Sequence, residues 1–172
     1  ATAETLFSIS KTFYDQLEAI KQKLLTLLNI IKSMDKIKIW AKAIQDYEGY
    51  YPPGEKFAIG SRSWRNRNPG NLKASNYVKG DLGAIGVDEK NFAVFETYEK
   101  GFWALNQFLK DAAQKKLRSY HILPNGQEYD CTLLQFFNLY APSSDHNEPN
   151  AYCLYVAKKI GVDPTTKIKD LV

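Results

Sequence analysis

Between Phe13 and Met34 the large apolar residues fall at Phe13, Leu17, Ile20, Leu24, Leu27, Ile31 and Met34, in alternating steps of four and three. Such steps return to the same side of an α-helix, so they lay down one continuous stripe. No Gly or Pro interrupts the chain before Gly49, and the charged residues Asp15, Glu18, Lys21, Lys23 and Lys32 lie off the stripe. A long helix is therefore expected, with an apolar face that something must cover. The stripe fits docking along the same domain and equally self-association or anchorage to a parent chain; the expectation is an anchor or oligomerisation role. Residues 1–35 are then a helical segment outside the chemistry, and residues 36–172 the domain that carries it. No Met opens the sequence and no signal-peptide pattern is present, which suggests a processed chain or a piece of a longer one.

Ser33-Met34-Asp35 has the character of a break, with Ser33 or Asp35 capping a second helix over about Lys36 to Tyr47. Ile37, Trp40, Ala41 and Ile44 share one face of that helix. It runs into Glu48-Gly49 and stops at Tyr50-Tyr51-Pro52-Pro53-Gly54. An acid at such a helix end can face a cleft. Phe57 to Gly86, rich in Gly, Asn and Ser, predicts loops and short strands, and Asn91 to Phe95 a strand. Thr97 predicts the cap of a helix reaching about Lys115, and Pro124 to Gln127 a turn. Thr132 opens a helix over Leu133 to Tyr140, and Pro149 to Ile160 is the last helix, closed by Gly161. The fold class is mainly α with a small irregular β part.

The net charge of +4 is too slight for a nucleic-acid signature. It is unevenly placed: Lys56, Arg62, Arg65, Arg67 and Lys73 occur in a stretch with no acid. That patch suits attachment to an anionic polymer such as a bacterial wall, although a solvated loop explains it as well. Cys131 and Cys153 have no metal-ligand spacing, and Cys153 lies among apolar residues. His121 and His146 are too few to suggest a metal site. No metal or cofactor is expected, and no segment is apolar enough to span a membrane. Cleaving a glycosidic bond needs a proton for the departing oxygen and stabilisation of a sugar cation. Tyr47, Tyr50 and Tyr51 beside Glu48 could supply the shielding that raises a carboxyl pKa, and the carbonyl-rich helix end disfavours its anion, although a solvated surface carboxylate is the commoner use of a Glu at a helix end.

Four blocks extend this reading: Ala43 to Tyr50, Arg65-Asn66-Arg67-Asn68-Pro69-Gly70-Asn71-Leu72, Phe92 to Thr97 leading to Gly101-Phe102-Trp103-Ala104-Leu105, and Tyr140-Ala141-Pro142 through Asp145 and Asn147 to Tyr152. In this order the chain resembles the lysozyme-like glycosidases and lytic transglycosylases of phage and bacterial cell-wall lysis, over about Ile37 to Val172. The resemblance implies an α-rich, two-lobed fold (α+β, lysozyme-like) with a glycan groove between the lobes. It implies Glu48 as catalytic acid, peptidoglycan as partner, and an extracytoplasmic or virion-associated place of action. Asn68 and Asn71 are expected in the groove wall, where Asn matches sugar hydroxyl and acetamido groups, or as turn caps. Arg65 is expected to reach a peptide-stem carboxylate or to form a surface ion pair. Tyr98, Tyr140 and Tyr152 are candidates for packing the sugars or bonding the acetamido group, with core packing open for each. No second carboxylate declares itself; Glu96, Asp81, Glu55 and Asp145 are possible. That favours the transglycosylase route, in which one Glu acts as acid and then base and the substrate's C6 hydroxyl closes on the sugar. Hydrolysis, or a glycan-binding module without catalysis, stands as the alternative.

Overall fold

A computed structural model describes residues 2–172, apart from the side chains of Ser33 and Asp35. The chain divides into two units, Ala1–Asp35 and Lys36–Val172. The first helix, α1, spans Ala3–Glu48. Its backbone stays helical through residues 33–35, so the expected break is not there. Nothing in Ser-Met-Asp forbids helix: residues that cap well are also tolerated inside one when no Gly or Pro enforces a stop. Capping by the Ser33 or Asp35 side chain lies outside the described residues. In the first unit every described side chain is exposed, the stripe included.

In the second unit the last turns of α1 bury Ile37, Trp40, Ala41 and Ile44, the face that the sequence marks. Gly49 ends the helix with a left-handed backbone, φ 76°, a conformation that residues with a Cβ resist. Two short helices follow, α2 (Arg62–Arg65) and α3 (Asn76–Gly80), where loops and strands are expected. Ser61 and Ser75 cap them, each hydroxyl accepting from the backbone N–H three residues on. Strands β1 (Gly86–Val87) and β2 (Ala93–Val94) pair antiparallel, Gly86 opposite Val94 and Val87 opposite Ala93.

Helix α4 (Tyr98–Ala113) starts at Thr97, whose hydroxyl accepts from Lys100 N–H. Helix α5 (Leu133–Tyr140) opens with a reciprocal Thr132–Gln135 capping box, and α6 (Pro149–Ile160) ends at left-handed Gly161. Short 3₁₀ turns at Arg118–Tyr120, Ser143–Asp145 and Ile168–Leu171 complete a mainly helical architecture. The core is one cluster that includes Trp40 and Ile44 of α1, Leu105 and Leu109 of α4, Phe136 and Phe137 of α5, and Tyr152 and Val156 of α6. Burying each large apolar side chain is worth about 1.5–3 kcal/mol. Cys131 and Cys153 are free and buried. Gly101 sets one close approach: a Cβ there would lie 1.8 Å from the Arg67 carbonyl oxygen, so α4 reaches the loop after α2 only with glycine at that turn.

Candidate active site

Glu48 is the last residue of α1 and lies in the wall of a groove of about 1430 Å³. Tyr152 Oη donates to its Oε1 at 2.8 Å, and Asn71 Nδ2 donates to its Oε2 at 2.8 Å. Burial raises the Glu48 pKa above its ordinary value, and these two bonds only partly oppose the rise. The reason is general: a carboxylate removed from water loses more hydration than two donors return. Tyr152 is itself buried on α6, stacked on Tyr47 at 3.9 Å between centroids and tilted against Phe137 at 4.5 Å. Its hydroxyl therefore reaches Glu48 from a fixed ring.

Asn71 is positioned by the loop between α2 and α3. Its backbone is left-handed, φ 46°, a region that Asn enters more readily than other residues with a Cβ. The loop is held at several points. Asn68 Nδ2 donates to the carbonyls of Leu72 (3.0 Å) and Ala93 (2.8 Å), while Asn68 Oδ1 accepts from Leu72 N–H. Asn66 Nδ2 donates to Asp88 Oδ2 at 2.8 Å, and Tyr140 Oη donates to the Gly70 carbonyl. Ser63 Oγ donates to the Gly49 carbonyl at 2.9 Å, fastening the start of α2 to the residue after Glu48. The separation of Asn71 and Glu48 thus rests on a set of buried and part-buried bonds.

The structure brings Glu48, Asn71, Tyr140 and Tyr152 together and leaves the other expected site residues elsewhere. Glu48, Asn71 and Tyr140 line the groove, and Tyr152 supports Glu48 from the core. Asn68 has no exposed surface and is absent from the groove wall: its amide is consumed by backbone groups. Arg65 donates Nη1–H to the Gly60 carbonyl at 2.7 Å and is also outside the wall. Tyr98 donates to Gln45 Oε1 at 2.8 Å and packs on Tyr50 and Phe102, bracing α4 to α1 instead of facing the groove. Of the basic stretch, Arg62 and Lys73 line the groove, both over the Phe92 ring.

Among the other carboxylates considered, Glu96 pairs with Lys100 and, like Asp81 and Glu55, is exposed and away from the groove. Asp145 lines the groove, 3.8 Å from Lys73 Nζ. Lys90, Lys116 and Arg118 add cationic groups to the wall, and Tyr77, Phe108 and Tyr120 add rings. These, like Ser61 and Ser63, are not singled out by sequence reasoning. Ser61 carries a usable signal as a cap three residues before Trp64, whereas the distant wall residues carry none. No cluster of His, Cys, Asp or Glu fit to hold a metal occurs among the described residues.

Fold and site together define a mainly helical protein with a shielded glutamic acid at a helix end, opening on a groove lined by cationic and aromatic side chains. No family model, curated protein or solved structure matches the chain.

Proposed function

We propose that residues 36–172 form a lysozyme-like domain that cuts the β-1,4 bond between MurNAc and GlcNAc in peptidoglycan, acting as a lytic transglycosylase. Glu48 is the general acid and base. One observation carries the reading: a carboxyl whose pKa burial raises, held by two donors at the wall of a polymer-sized groove. Pockets for small ligands usually enclose about 300–1,000 Å³, so a volume of about 1430 Å³ has room for several sugars. Peptidoglycan is taken as substrate, outside the membrane or from a virion, on the strength of the family resemblance together with the cationic groups in the wall.

In this mechanism the protonated Glu48 gives its proton to the departing glycosidic oxygen as the C1–O bond breaks and positive charge grows on the sugar. The resulting carboxylate then takes the proton of the C6 hydroxyl as that oxygen bonds to C1. Glu48 ends protonated again, and the product carries a 1,6-anhydro ring with no water consumed. The Asn71 amide serves both states. Its Oδ1 is buried without a donor among the described residues, so a half-turn of the amide offers an acceptor to protonated Oε2.

A second reading, hydrolysis, draws on Asp145, since it and Glu48 are the two carboxylates in the groove wall. An inverting hydrolase needs the carboxyls about 6.5–9.5 Å apart, with a water between them. Mass spectrometry of fragments released from purified cell walls separates the outcomes. Anhydro ends, one water lighter than reducing ends, are expected; reducing ends alone would favour hydrolysis, and no fragments at all would leave a glycan-binding module.

A further inference from the structure

The unit Ala1–Asp35 presents an apolar face far wider than a solvated helix retains. In a seven-residue frame, Leu6, Phe13, Ile20, Leu27 and Met34 take one core position, d, and Leu17, Leu24 and Ile31 take the other, a. These eight side chains are 47–65% exposed. Toward both ends of the segment the flanking positions extend the face, with Phe7, Tyr14 and Leu28 at e and Ile9 and Ile30 at g exposed too, while Ser10 at a, Lys21 at e, and Gln16 and Lys23 at g are polar.

We infer that this face is the seam of a coiled coil formed by three or more copies of this chain. Three observations choose that occupant. The first is period. From Phe13 to Met34 the spacing averages 3.5 residues, whereas a straight helix drifts about 20° per heptad from that repeat. A flat surface has no use for a 3.5 period, and a second copy supplies the same one in phase. The second is area. At roughly 60–120 Å² for each large side chain, from the usual burial energies at 25 cal/mol/Å², the thirteen seam residues offer on the order of 1,000 Å² per copy. A standard interface needs about 800 Å² per partner, and a monomer's largest apolar patch is usually about 300–600 Å².

The third is charge. Lys11, Lys21, Lys23 and Lys32 are matched by Glu4, Asp15, Glu18 and Asp35, so the segment lacks the cationic excess by which a helix seeks an anionic bilayer. Stoichiometry follows from the width. A two-stranded coil buries mainly a and d and would leave Phe7, Ile9, Tyr14, Leu28 and Ile30 at e and g in water, whereas three or four strands cover them as well.

Light scattering on the eluting full chain at tens of micromolar tests this. A molar mass at least three times 19.6 kDa is expected. Leu17→Asp with Leu24→Asp should return it to the single-chain mass, while Asn29→Asp, on the far face, should leave the assembly intact. A single-chain or dimeric mass for the unmodified chain would overturn the inference, as would an assembly that survives the double substitution. So would a single-chain mass accompanied by sedimentation with phosphatidylserine vesicles. None of these outcomes depends on cleavage of glycan.

Discussion

Replacing Tyr152 with Phe isolates one of the two bonds that hold the acid. The ring is fixed by Tyr47 at 3.9 Å and Phe137 at 4.5 Å, so Phe should keep the packing and lose only the Oη donor to Glu48 Oε1. A hydrogen bond to a charged partner contributes about 1.5–3 kcal/mol, against roughly 0.5–1.5 for a neutral pair. The loss of stability should therefore be greater at a pH where Glu48 is ionised than in acid, where it is protonated. With a few degrees of melting temperature per kcal/mol in a domain of this size, the drop should be roughly 5–10 °C at the ionised end. The sign for activity follows from the same bond. It lowers the Glu48 pKa against the larger effect of burial, so removing it raises that pKa further. The protonated acid then persists to higher pH, and the alkaline limb of the cleavage profile moves up. Thermal melts and wall-suspension turbidity across a pH series measure both effects. An alkaline limb that stays in place, or a stability loss equal at every pH, would refute the coupling of Tyr152 to Glu48.

Glu48→Gln should lower turbidity clearance about 10²–10⁴-fold, the usual contribution of a general acid, with the far-UV spectrum preserved. A carboxyl with a raised folded pKa stabilises fully below its unfolded value, near 4.3, and loses that contribution as pH climbs through the folded value. Gln should therefore melt above the parent chain in neutral and alkaline buffer, with the difference closing in acid. Asp145→Asn should change cleavage no more than a few-fold if the C6 hydroxyl is the nucleophile; a loss beyond about 10²-fold, assayed on the same walls, would transfer the case to hydrolysis. Gly101→Ala should destabilise by roughly 1–3 kcal/mol, read from a denaturant midpoint, because the added Cβ meets backbone oxygen that no side-chain rotation can move.

Local chemistry made the helix ends legible. Thr97, Thr132, Pro149 and Gly161 each satisfy or remove an end group of the backbone, and α4, α5 and α6 begin or stop there. Glu48 at the end of α1 was legible for the same reason. The continuity of α1 was not, because Ser33-Met34-Asp35 permits a break without requiring one. Arg65 and Asn68 show the commoner limit. A polar loop residue has the same donors whether it faces solvent, a substrate or an unpaired carbonyl, and here Gly60, Leu72 and Ala93 supply carbonyls that take them. Which of four distant acids enters the groove is likewise a matter of tertiary placement, and only Asp145 does.

The bonds that stabilise this site are also the ones that tune it. A groove carboxyl free of partners would have its pKa raised by burial alone and would be free to turn away. With Tyr152 and Asn71 on its two oxygens, it keeps a raised pKa and a fixed direction together. That arrangement requires a donor from α6 and another from the loop after α2, each held in place by other side chains. Asn68, buried and unable to touch a ligand, matters because it holds the loop that presents Asn71. Tyr140 does the same through Gly70 while also lining the groove. The Asn-Pro-Gly-Asn run is therefore better understood as a bracket for the acid than as a row of sugar contacts, with one Asn facing Glu48 and the other holding the backbone that positions it.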